Sequence, residues 1–519
     1  MSKREVRFFN TTGPCNPDMH YMLPPEERLV GAQLHRYIKD QLYWVLHAPR
    51  QTGKTTFLQS WMREINAGTE AVSCYVSVER CQGIAEPERA MPDLCKAVQE
   101  YAEWAGLPVP ELKTSAPNSM LSEVLGDWAK LLAPQPLIVL FDETDVLVEG
   151  TLISFLRQLR GGFATRAAGV FPVSIALVGL RDLKDYITAA KGGVPVNPGS
   201  PFNVKSDSAY IVNFQKDDIG RLFAQRTAET GQQITTEALD YVYEQSRGQP
   251  WIVNSLFQRA TMRILDAESA ETVTIEHIRQ AREQMIEARE THLDTLVYRL
   301  ENPAIRKMME TFFAGTLDLN IADSEGFRLC RDLGLVDIED GSPIIANPIY
   351  REVLARQITY SPQLNIPKPD WKWAKADGTL DMDALLRNFQ EFWRNNSETW
   401  EEMSDFTEAF PHLLLMAFLQ RVTNGDGRIE REYAAGRGRM DLAVYYKGAW
   451  NIIEIKLLRK NKIFAAVKDE GVRQVLQYRE RIDPTAPCYL VIFDRRPDKP
   501  DWAERVTWEQ AAAVTVVGC

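Results

Sequence analysis

The sequence predicts an α/β protein whose N-terminal part is built on a mainly parallel β-sheet. Short apolar segments alternate with amphipathic helical segments up to about residue 215, the pattern of parallel strands covered by helices on both faces. Two further observations concern chemistry. A glycine-containing loop, HAPRQTGKTT (47–56), follows one predicted strand, and a predicted hairpin, GRGRMDLAVYYKGAWNIIEIK (436–456), carries an Asp and then Glu-x-Lys.

The order of predicted elements divides the chain into five segments. After residue 216 the pattern is helical to about residue 300, and RDLGLVDIEDGSPIIANPIYREVLARQ (331–357) has the order helix, strand, acidic turn, strand, helix that is expected of a winged helix. A stretch rich in Pro and Gly predicts a linker. The predicted strands are YWVLH (43–47), VSCYVSV (72–78), LIVLF (137–141), VSIALVG (173–179) and a weak AYIV (209–212), and the segments are a sheet core (1–215), a helical lid (216–295), the winged helix (296–358), the linker (359–378) and a C-terminal α/β domain (379–519).

Composition limits the class of protein. With 519 residues, 45% hydrophobic and 25% charged, the chain is expected to fold into several globular domains. No apolar run approaches the roughly 18–20 residues of a membrane span, and no apolar stretch follows the charged start, so neither a membrane segment nor a signal peptide is expected. Seven cysteines without a Cys-x-x-Cys pair favour a reducing cytoplasm over a zinc site or a disulfide framework.

Charge is distributed unevenly along the chain. The net charge of −11 excludes DNA binding through the average field of the molecule. Residues 421–462, however, contain ten Lys or Arg against five Asp or Glu. Such a run is ordinarily a solvated face, but its position around the carboxylates of the hairpin leaves contact with nucleic acid open.

The loop HAPRQTGKTT predicts phosphate binding. A loop between a strand and a helix aims backbone N–H groups and the helix dipole at one point, which favours an anion. Gly53 permits close approach, Lys54 would reach the outer phosphates, and Thr55 offers a hydroxyl to magnesium. The pattern is GxxxxGK[ST] with Ala48 in place of the first Gly, a change that spares the phosphate-contacting end. The predicted nucleotide-binding residues of the loop are Pro49, Arg50, Gln51, Thr52, Gly53, Lys54, Thr55 and Thr56.

A second motif, PLIVLFDETDVL (136–147), completes the prediction of a P-loop domain that binds ATP with Mg²⁺. Asp142 would lie beside the magnesium and Glu143 beside an attacking water. Only Glu143 distinguishes hydrolysis of the nucleotide from binding alone. Arg181 follows the next predicted strand and is either a sensor of the γ-phosphate or a surface arginine. RGQPWIV (247–253) is, as structure, a turn followed by a proline in the first helical turn.

The hairpin predicts a metal site. A two-residue turn at Lys447-Gly448 makes the numbers of opposite residues sum to 895, so that Asp441 faces Glu454, and Lys456 shares that face. Two close carboxylates repel each other unless a hard cation such as Mg²⁺ lies between them. The lysine could then stabilise charge that develops on a phosphate. A surface hairpin is the alternative, but NIIEI (451–455) is mostly apolar and should be buried.

Two helical segments supply further candidates, and with them a family resemblance. Glu408, in DFTEAFPHLLLMAFLQR, could add a third oxygen, and Gln474 and Tyr478 lie one helical turn apart in GVRQVLQYRERI. Asp, Glu-x-Lys, a preceding helical Glu and a trailing QxxxY together resemble the PD-(D/E)XK nucleases. The resemblance implies that Glu408, Asp441 and Glu454 are metal ligands, that Lys456 is catalytic, and that Gln474 and Tyr478 lie near the DNA strand.

The front of the chain resembles a group of bacterial AAA-like ATPases of the STAND type. The residues that carry this resemblance are FNTTGPCNPDMHYMLPPEERL, HAPRQTGKTT, THLDTL and NPIYREV. Members of the group have a winged helix and often a nuclease tail, and Gly-x-Pro resembles their lid motif, whose proline region reports the nucleotide state. The fold class implied is α/β: a P-loop parallel sheet with a helical lid, a winged helix and a C-terminal α/β domain like that of restriction endonucleases.

These features predict a cytoplasmic ATPase that regulates a magnesium-dependent DNA nuclease in the same chain. DNA is the expected partner, and no membrane is expected. A homo-oligomer and an unidentified activating ligand or protein stay open. The alternative is a signalling or scaffold ATPase whose C-terminal domain binds nucleic acid without cutting it. A translocating motor is not supported, because the sequence contains one P-loop and none of the motifs that pair two motor lobes.

Overall fold

The chain forms two compact units in a computed structural model. The first unit contains Met1–Ala288 and Asp332–Gly334, and the second contains Arg289–Arg331 and Leu335–Cys519. The structure describes residues 6–113, 115–180, 205–267, 269–288, 291–314, 321, 324–358, 375–401, 410–423, 427–433, 440–458, 463–494, 496 and 501–519.

The first unit is organised around a six-stranded sheet of order β1-β6-β2-β5-β4-β3. All neighbours are parallel except β1, a two-residue strand that pairs antiparallel with β6. Each predicted strand is present, with ends shifted by a few residues at most, so the predicted mainly parallel sheet is confirmed. The strands are β1 (Leu29–Val30), β2 (Tyr43–His47), β3 (Val72–Ser77), β4 (Leu137–Asp142), β5 (Ser174–Gly179) and β6 (Lys205–Ile211).

Helices cover both faces of this sheet, as expected of strands that are apolar throughout. One face packs Trp44 and Leu46 against α1 and α2, and the other packs Val139 and Phe141 against α3, α4 and α5. All six residues of β4 are buried, because both of its faces meet helices. The helices are α1 (Leu34–Lys39), α2 (Lys54–Ala67), α3 (Pro87–Trp104), α4 (Pro117–Leu131) and α5 (Glu149–Phe163).

A helical bundle completes the first unit and holds the N-terminal segment. Phe9 is fully buried, with its ring centroid 5.8 Å from that of Phe223 and 5.0 Å from that of Phe257. The indole N–H of Trp251 donates to the carbonyl of Thr11 at 2.9 Å. Helical structure after residue 216 is therefore confirmed. The helices are α6 (Lys216–Thr230), α7 (Thr236–Ser246), α8 (Pro250–Arg259), followed by one π-helical turn (Ala260–Ile264), and α9 (Ile275–Glu287).

The described residues at the start of the second unit form four helices and a two-stranded sheet. The order α12, β7, turn, β8, α13 is the one predicted for residues 331–357, and its assignment as a winged helix stays a prediction. His292 and Tyr350 join the first and last of these helices through a 2.6 Å contact between Nε2 and the hydroxyl. The elements are α10 (Thr291–Arg299), α11 (Pro303–Ala314), α12 (Glu325–Asp332), β7 (Val336–Glu339), β8 (Ser342–Ile345) and α13 (Pro348–Ile358).

A second six-stranded sheet, of order β13-β14-β12-β11-β10-β9, follows in the same unit. Its centre, β11-β12-β14, is parallel, whereas β9, β10 and β11 form an antiparallel meander and β13 pairs antiparallel with β14. The elements are α14 (Met382–Glu401), α15 (Phe410–Thr423), β9 (Gly427–Tyr433), β10 (Met440–Tyr446), β11 (Ala449–Leu458), α16 (Phe464–Ile482), β12 (Cys488–Asp494), α17 (Trp502–Arg505), β13 (Trp508–Ala511) and β14 (Val514–Gly518).

The predicted segment boundaries stay predictions. Residue 295, the predicted end of the lid, falls within α10, which belongs to the second unit. Most of the predicted linker, residues 359–374, lies outside the described residues. No helix in the described part of the chain combines the length and the apolar character needed to cross a bilayer.

Replacement of Gly248 by alanine is expected to destabilise the first unit strongly. Gly248 has a φ of +74°, and a Cβ there would overlap the carbonyl oxygen of Phe214. Gly231, with a φ of +79° and nothing within 4 Å of an added Cβ, is the matched control, because Gly231→Ala carries only the left-handed backbone cost of about 1–2 kcal/mol. Thermal or chemical denaturation should show a clearly larger loss for Gly248→Ala, and equal losses would contradict the close approach.

Candidate functional site

The loop predicted to bind phosphate joins β2 to α2, at the carboxyl edge of the first sheet. β2 ends at His47 and α2 begins at Lys54. Gly53 precedes the helix with a φ of +97°, a conformation that favours glycine. The first backbone N–H groups of a 14-residue helix have no partner within the helix, and with the helix dipole they favour an anion at this point.

Lys54 is held by the loop itself. Its Nζ donates to the carbonyls of Ala48 at 2.8 Å and Pro49 at 2.9 Å. Burial lowers the pKa of Lys54, and the nearby carboxylates, first Asp142, oppose this effect. A cation that is satisfied only by neutral carbonyls can exchange them for a stronger acceptor, such as a phosphate oxygen.

Asp142, the last residue of β4, is buried and accepts three hydrogen bonds. Its Oδ2 accepts from the Thr55 hydroxyl at 2.6 Å and from the Tyr75 hydroxyl at 3.2 Å, and its Oδ1 accepts from the backbone N–H of Glu143 at 2.9 Å. Burial raises the pKa of Asp142, while the bond from Thr55 and the charge of Lys54 act in the opposite direction. A hydroxyl beside a carboxylate is a donor set that Mg²⁺ prefers, so these two residues fit the predicted ion.

Glu143 follows directly at the same edge of the sheet. Its φ of +62° is uncommon for a residue other than glycine. Burial, then the charges of Asp142 and Asp145, raises the pKa of Glu143. A carboxylate with a raised pKa beside a phosphate-binding loop is suited to accept a proton from water.

The other residues predicted for this site differ in burial and in hydrogen bonding. Thr52 is buried and its hydroxyl donates to the Pro49 carbonyl at 2.9 Å. The Thr56 hydroxyl accepts from the backbone N–H of Cys15 at 3.0 Å. Arg50 and Gln51 are exposed. Arg181 lies outside the described residues.

Three residues at this site were not predicted. Tyr75 reaches Asp142 from β3, Arg28 donates from Nη2 to the carbonyl of Thr52 at 2.9 Å, and Gln249 donates from Nε2 to the carbonyl of Gln51 at 3.5 Å. Gln249 lies within the Gly-x-Pro motif and Arg28 within PPEERL, so both residues lie in segments that the family resemblance had singled out. Tyr75 carried none, because its role depends on the pairing of β3 with β4.

The second candidate site lies on the β10–β11 hairpin, whose predicted register is confirmed. Pairs run from Tyr446 opposite Ala449 to Leu442 opposite Ile453, each with numbers that sum to 895. Lys447 and Gly448 form the turn with φ values of +45° and +89°, as the mirror-image hairpin turns require. Asp441 belongs to β10, but its side chain and all of Glu408 lie outside what the structure describes, so their roles stay predictions.

Glu454 and Lys456 are buried charges on β11. Glu454 is 1% exposed and Lys456 7% exposed. The Lys456 ammonium donates to Oε1 of Glu454 and to Oε1 of Gln474 on α16. On the same strand face, Ile452 and Leu458 lie before and after this pair and pack with α16 in an apolar cluster. The hairpin is therefore not an exposed charged ribbon at this point.

Gln474 and Tyr478 differ in their surroundings. Gln474 is half-buried and accepts from Lys456, whereas Tyr478 is buried in the apolar cluster of α16 and the sheet. Within the described residues, no group of three or more His, Cys, Asp or Glu is arranged to hold a metal ion. Of the three predicted carboxylate ligands only the Glu454 side chain is described, and its oxygens are of the type that Mg²⁺ prefers.

Comparison with known proteins gives distant structural likeness. No protein-family model matches the chain, and no curated protein matches it in sequence. Among solved structures it is similar to a Walker-type ATPase of Pyrococcus abyssi, with a TM-score of 0.46 and 16% identity over 67% of this chain and 99% of that one. It is also similar to Cdc6p of Pyrobaculum aerophilum (TM-score 0.35, 14% identity, 63% and 91% of the chains) and to the ORC2 protein of Aeropyrum pernix (0.39, 12%, 63% and 91%).

With its phosphate loop after β2 and an acidic pair at the end of β4, the first unit has a P-loop ATPase-like fold.

Removal of the Lys456 charge alone is expected to destabilise the second unit. Lys456→Met leaves the Glu454 carboxylate buried without its ammonium partner, a change that costs about 3–5 kcal/mol. The double variant Glu454→Gln/Lys456→Met also removes the Glu454 charge, so it should recover most of the lost free energy of unfolding. Urea denaturation of both variants measures the difference.

The matched control is Lys468→Met. Lys468 pairs with Glu509 at 3.2 Å, but its side chain is 26% exposed and that of Glu509 41% exposed, so its loss should cost less than about 1 kcal/mol. If Lys456→Met cost no more than Lys468→Met, Lys456 would not be compensating a buried charge.

Proposed function

We propose that the first unit binds ATP with Mg²⁺ at the loop 48–56 and hydrolyses it. The observation that carries this proposal is the 2.6 Å hydrogen bond between Thr55 and Asp142. It joins a hydroxyl at the start of α2 to a carboxylate 87 residues away at the end of another strand. A chance Gly-Lys-Thr turn would have no reason to meet a buried carboxylate.

In this proposal each residue of the site has a defined role in the binding or hydrolysis of ATP. Backbone N–H groups of the loop from Arg50 to Thr56 bind the phosphates, and Lys54 leaves the carbonyls of Ala48 and Pro49 for the outer phosphates. Thr55 and Asp142 hold Mg²⁺, which offsets the negative charge of the phosphates when bound. Glu143 accepts a proton from the attacking water. Arg181 is proposed as the sensor of the γ-phosphate.

The ATPase proposal is tested with Lys54→Ala and Glu143→Gln. Lys54→Ala should weaken ATP binding at least about tenfold, because a charged hydrogen bond contributes about 1.5–3 kcal/mol. Glu143→Gln should bind ATP normally but hydrolyse it about 10²–10⁴ times more slowly, the usual contribution of a general base. Calorimetry and phosphate release measure these two quantities.

An exposed lysine provides the control. Lys130 forms only a surface pair with Asp127, so Lys130→Ala should leave both quantities unchanged. Wild-type protein that does not bind ATP would refute the proposal, and normal hydrolysis in Glu143→Gln would remove Glu143 from the mechanism.

For the C-terminal α/β part of the second unit we propose a magnesium-dependent DNA nuclease regulated by the ATPase. The specific support is the burial of Glu454 and Lys456 in an otherwise apolar strand face beside Gln474. A buried charged pair of this kind is more costly than apolar residues of similar size, which favours a functional role. The proposed metal ligands are Glu408, Asp441 and Glu454.

In this proposal Lys456 stabilises charge on the scissile phosphate, and Gln474 fixes the position of the lysine. Tyr478 packs beneath them in the apolar cluster. The basic run at 421–462 would contact the DNA backbone. We also propose that the protein is cytoplasmic and that the winged helix (296–358) stands between the ATPase and the nuclease in the order of the chain. Self-assembly or an activating ligand would control the effect of ATP on the nuclease.

Cleavage of linear and circular DNA with Mg²⁺ or Mn²⁺, with and without ATP, tests the nuclease. Cutting should disappear in Glu454→Gln, which removes the charge that would bind the metal, and should lose its response to ATP in Lys54→Ala. Glu509→Gln, at a partly exposed residue of the same unit, is the control that should cut normally.

The alternative function is a signalling or scaffold ATPase whose C-terminal domain binds nucleic acid without cutting it. The net charge of −11 favours it. ATP hydrolysis together with DNA binding but no cleavage under any of these conditions would select this alternative and refute the nuclease.

A further inference from the structure

Arg28 is a buried arginine behind the phosphate-binding loop, and neither the loop motif nor the acidic motif accounts for it. Arg28 is 7% exposed. Nη2 donates to the carbonyl of Thr52 at 2.9 Å and Nη1 to the carbonyl of Val212 at 3.1 Å, while the guanidinium lies 4.8 Å from the centre of the Phe214 ring. Burial lowers the pKa of Arg28 to about 10, an effect that the charge of Asp218 partly offsets.

A buried guanidinium whose donors go to backbone carbonyls carries a desolvation cost that those neutral acceptors offset only in part. The two carbonyls belong to different parts of the first unit. Thr52 is in the phosphate loop, and Val212 follows β6 directly before the helical bundle that begins at Lys216. Arg28 is therefore placed to fix one of these parts relative to the other.

The contact of Arg28 with the Thr52 carbonyl also fixes the direction of the next N–H group, because the two groups share one peptide bond. The carbonyl of Thr52 and the N–H of Gly53 belong to one planar trans peptide, so they point in opposite directions. When Arg28 holds the carbonyl, the Gly53 N–H is turned away from the guanidinium. Polarisation of the carbonyl by a cation also strengthens that N–H as a donor.

Gly53 shows that Arg28 fills this side of the loop. A Cβ on Gly53 would lie 2.8 Å from Nη2 of Arg28. The guanidinium thus occupies the space that a side chain would need, and an anion can reach the Gly53 N–H only from the opposite side. The φ of +97° favours glycine at this position, and a Cβ there would displace the Arg28 guanidinium from the Thr52 carbonyl.

We propose that Arg28 is a positioning residue for nucleotide binding, which holds the Thr52–Gly53 peptide with its N–H directed at a phosphate of the bound nucleotide. This inference rests on the ATP binding proposed above. Arg28 does not contact the nucleotide; it acts through Gly53.

The second hydrogen bond of Arg28 makes this positioning depend on the helical bundle. Arg28 and Val212 are joined twice, since the Val212 N–H also donates to the Arg28 carbonyl at 3.0 Å. The Phe214 N–H donates to the carbonyl of Gly248 at 2.9 Å, in the Gly-x-Pro turn. A continuous chain of contacts therefore runs from the phosphate loop through Arg28 to that turn.

The test compares ATP binding and steady-state hydrolysis in wild type, Arg28→Met and Arg28→Lys. Arg28→Met should raise the Kd and KM for ATP about ten- to hundredfold, the range for one hydrogen bond to a charged group. Its kcat at saturating ATP should change less than threefold, because the lost contact serves substrate and transition state alike. Arg28→Lys, which keeps the charge but cannot span both carbonyls, should give an intermediate Kd.

Arg166 supplies a matched control in the same unit. It also donates to two backbone carbonyls, of Gln41 and Phe163, each at 2.7 Å, and it lies 3.5 Å from the centre of the Phe163 ring. Arg166 precedes β5, and its partner Gln41 precedes β2, so this contact lies near the amino ends of both strands, at the edge of the sheet opposite the loop. Arg166→Met should therefore lower the melting temperature without changing the Kd for ATP.

The outcomes separate this inference from the proposed function. If wild-type protein binds no ATP, both fail. If wild type binds ATP, unchanged affinity in Arg28→Met overturns the inference alone, and so do equal losses of affinity in Arg28→Met and Arg166→Met, which would show a general effect of stability. If Arg28→Met does not fold, Arg28→Lys decides: wild-type affinity overturns the inference, and a loss of about three- to tenfold supports it.

Discussion

The hydrogen bond between Thr55 and Asp142 depends on the architecture of the whole first unit. Thr55 follows β2 and Asp142 ends β4, and these strands are not neighbours, because β5 lies between them. Only parallel strands bring their carboxyl ends to one edge, and only helices on both faces allow strands that are apolar throughout. The 2.6 Å bond is therefore a consequence of strand order, of the burial of β4 and of the entry of the chain into α2.

Charged groups removed from water recur at each place where this chain is proposed to act. Lys54 is held by two carbonyls, Arg28 by two carbonyls and an aromatic ring, and Lys456 by Glu454 and Gln474. Lys54 and Arg28 donate to neutral acceptors, whereas Lys456 forms a buried ion pair with Glu454. In a medium of low dielectric, such groups respond strongly to an arriving phosphate or metal ion. The same desolvation that costs stability thus makes both candidate sites sensitive to their ligands.

The two candidate sites could be predicted from the sequence to different depths. At the phosphate loop, the spacing of Gly53, Lys54 and Thr55 and the acidic pair after an apolar run were sufficient to pair Thr55 with Asp142. At the hairpin, the turn residues Lys447 and Gly448 fixed the register, because a two-residue turn leaves one possible pairing. The roles of Asp441, Glu408 and Arg181 remain predictions. Tyr75 could not be found, since its partner Asp142 lies on a strand that becomes its neighbour only in the folded chain. Arg28 lies in a segment that the family resemblance singled out, but its contacts with Thr52 and Val212 could not be predicted.

What the sequence by itself determined is local: five strands of the first sheet, the helices after residue 216, the glycine-containing loop between β2 and α2 and the register of one hairpin. These follow from side-chain periodicity and turn chemistry, which depend on residues a few positions apart. The tertiary structure alone decided that β5 lies between β2 and β4, that Tyr75 reaches Asp142, that Arg28 lies behind Gly53, and that Gln474 of α16 meets Lys456. Strand order and burial depend on which apolar faces meet, and residues far apart in sequence must share that choice, so no local pattern contains it.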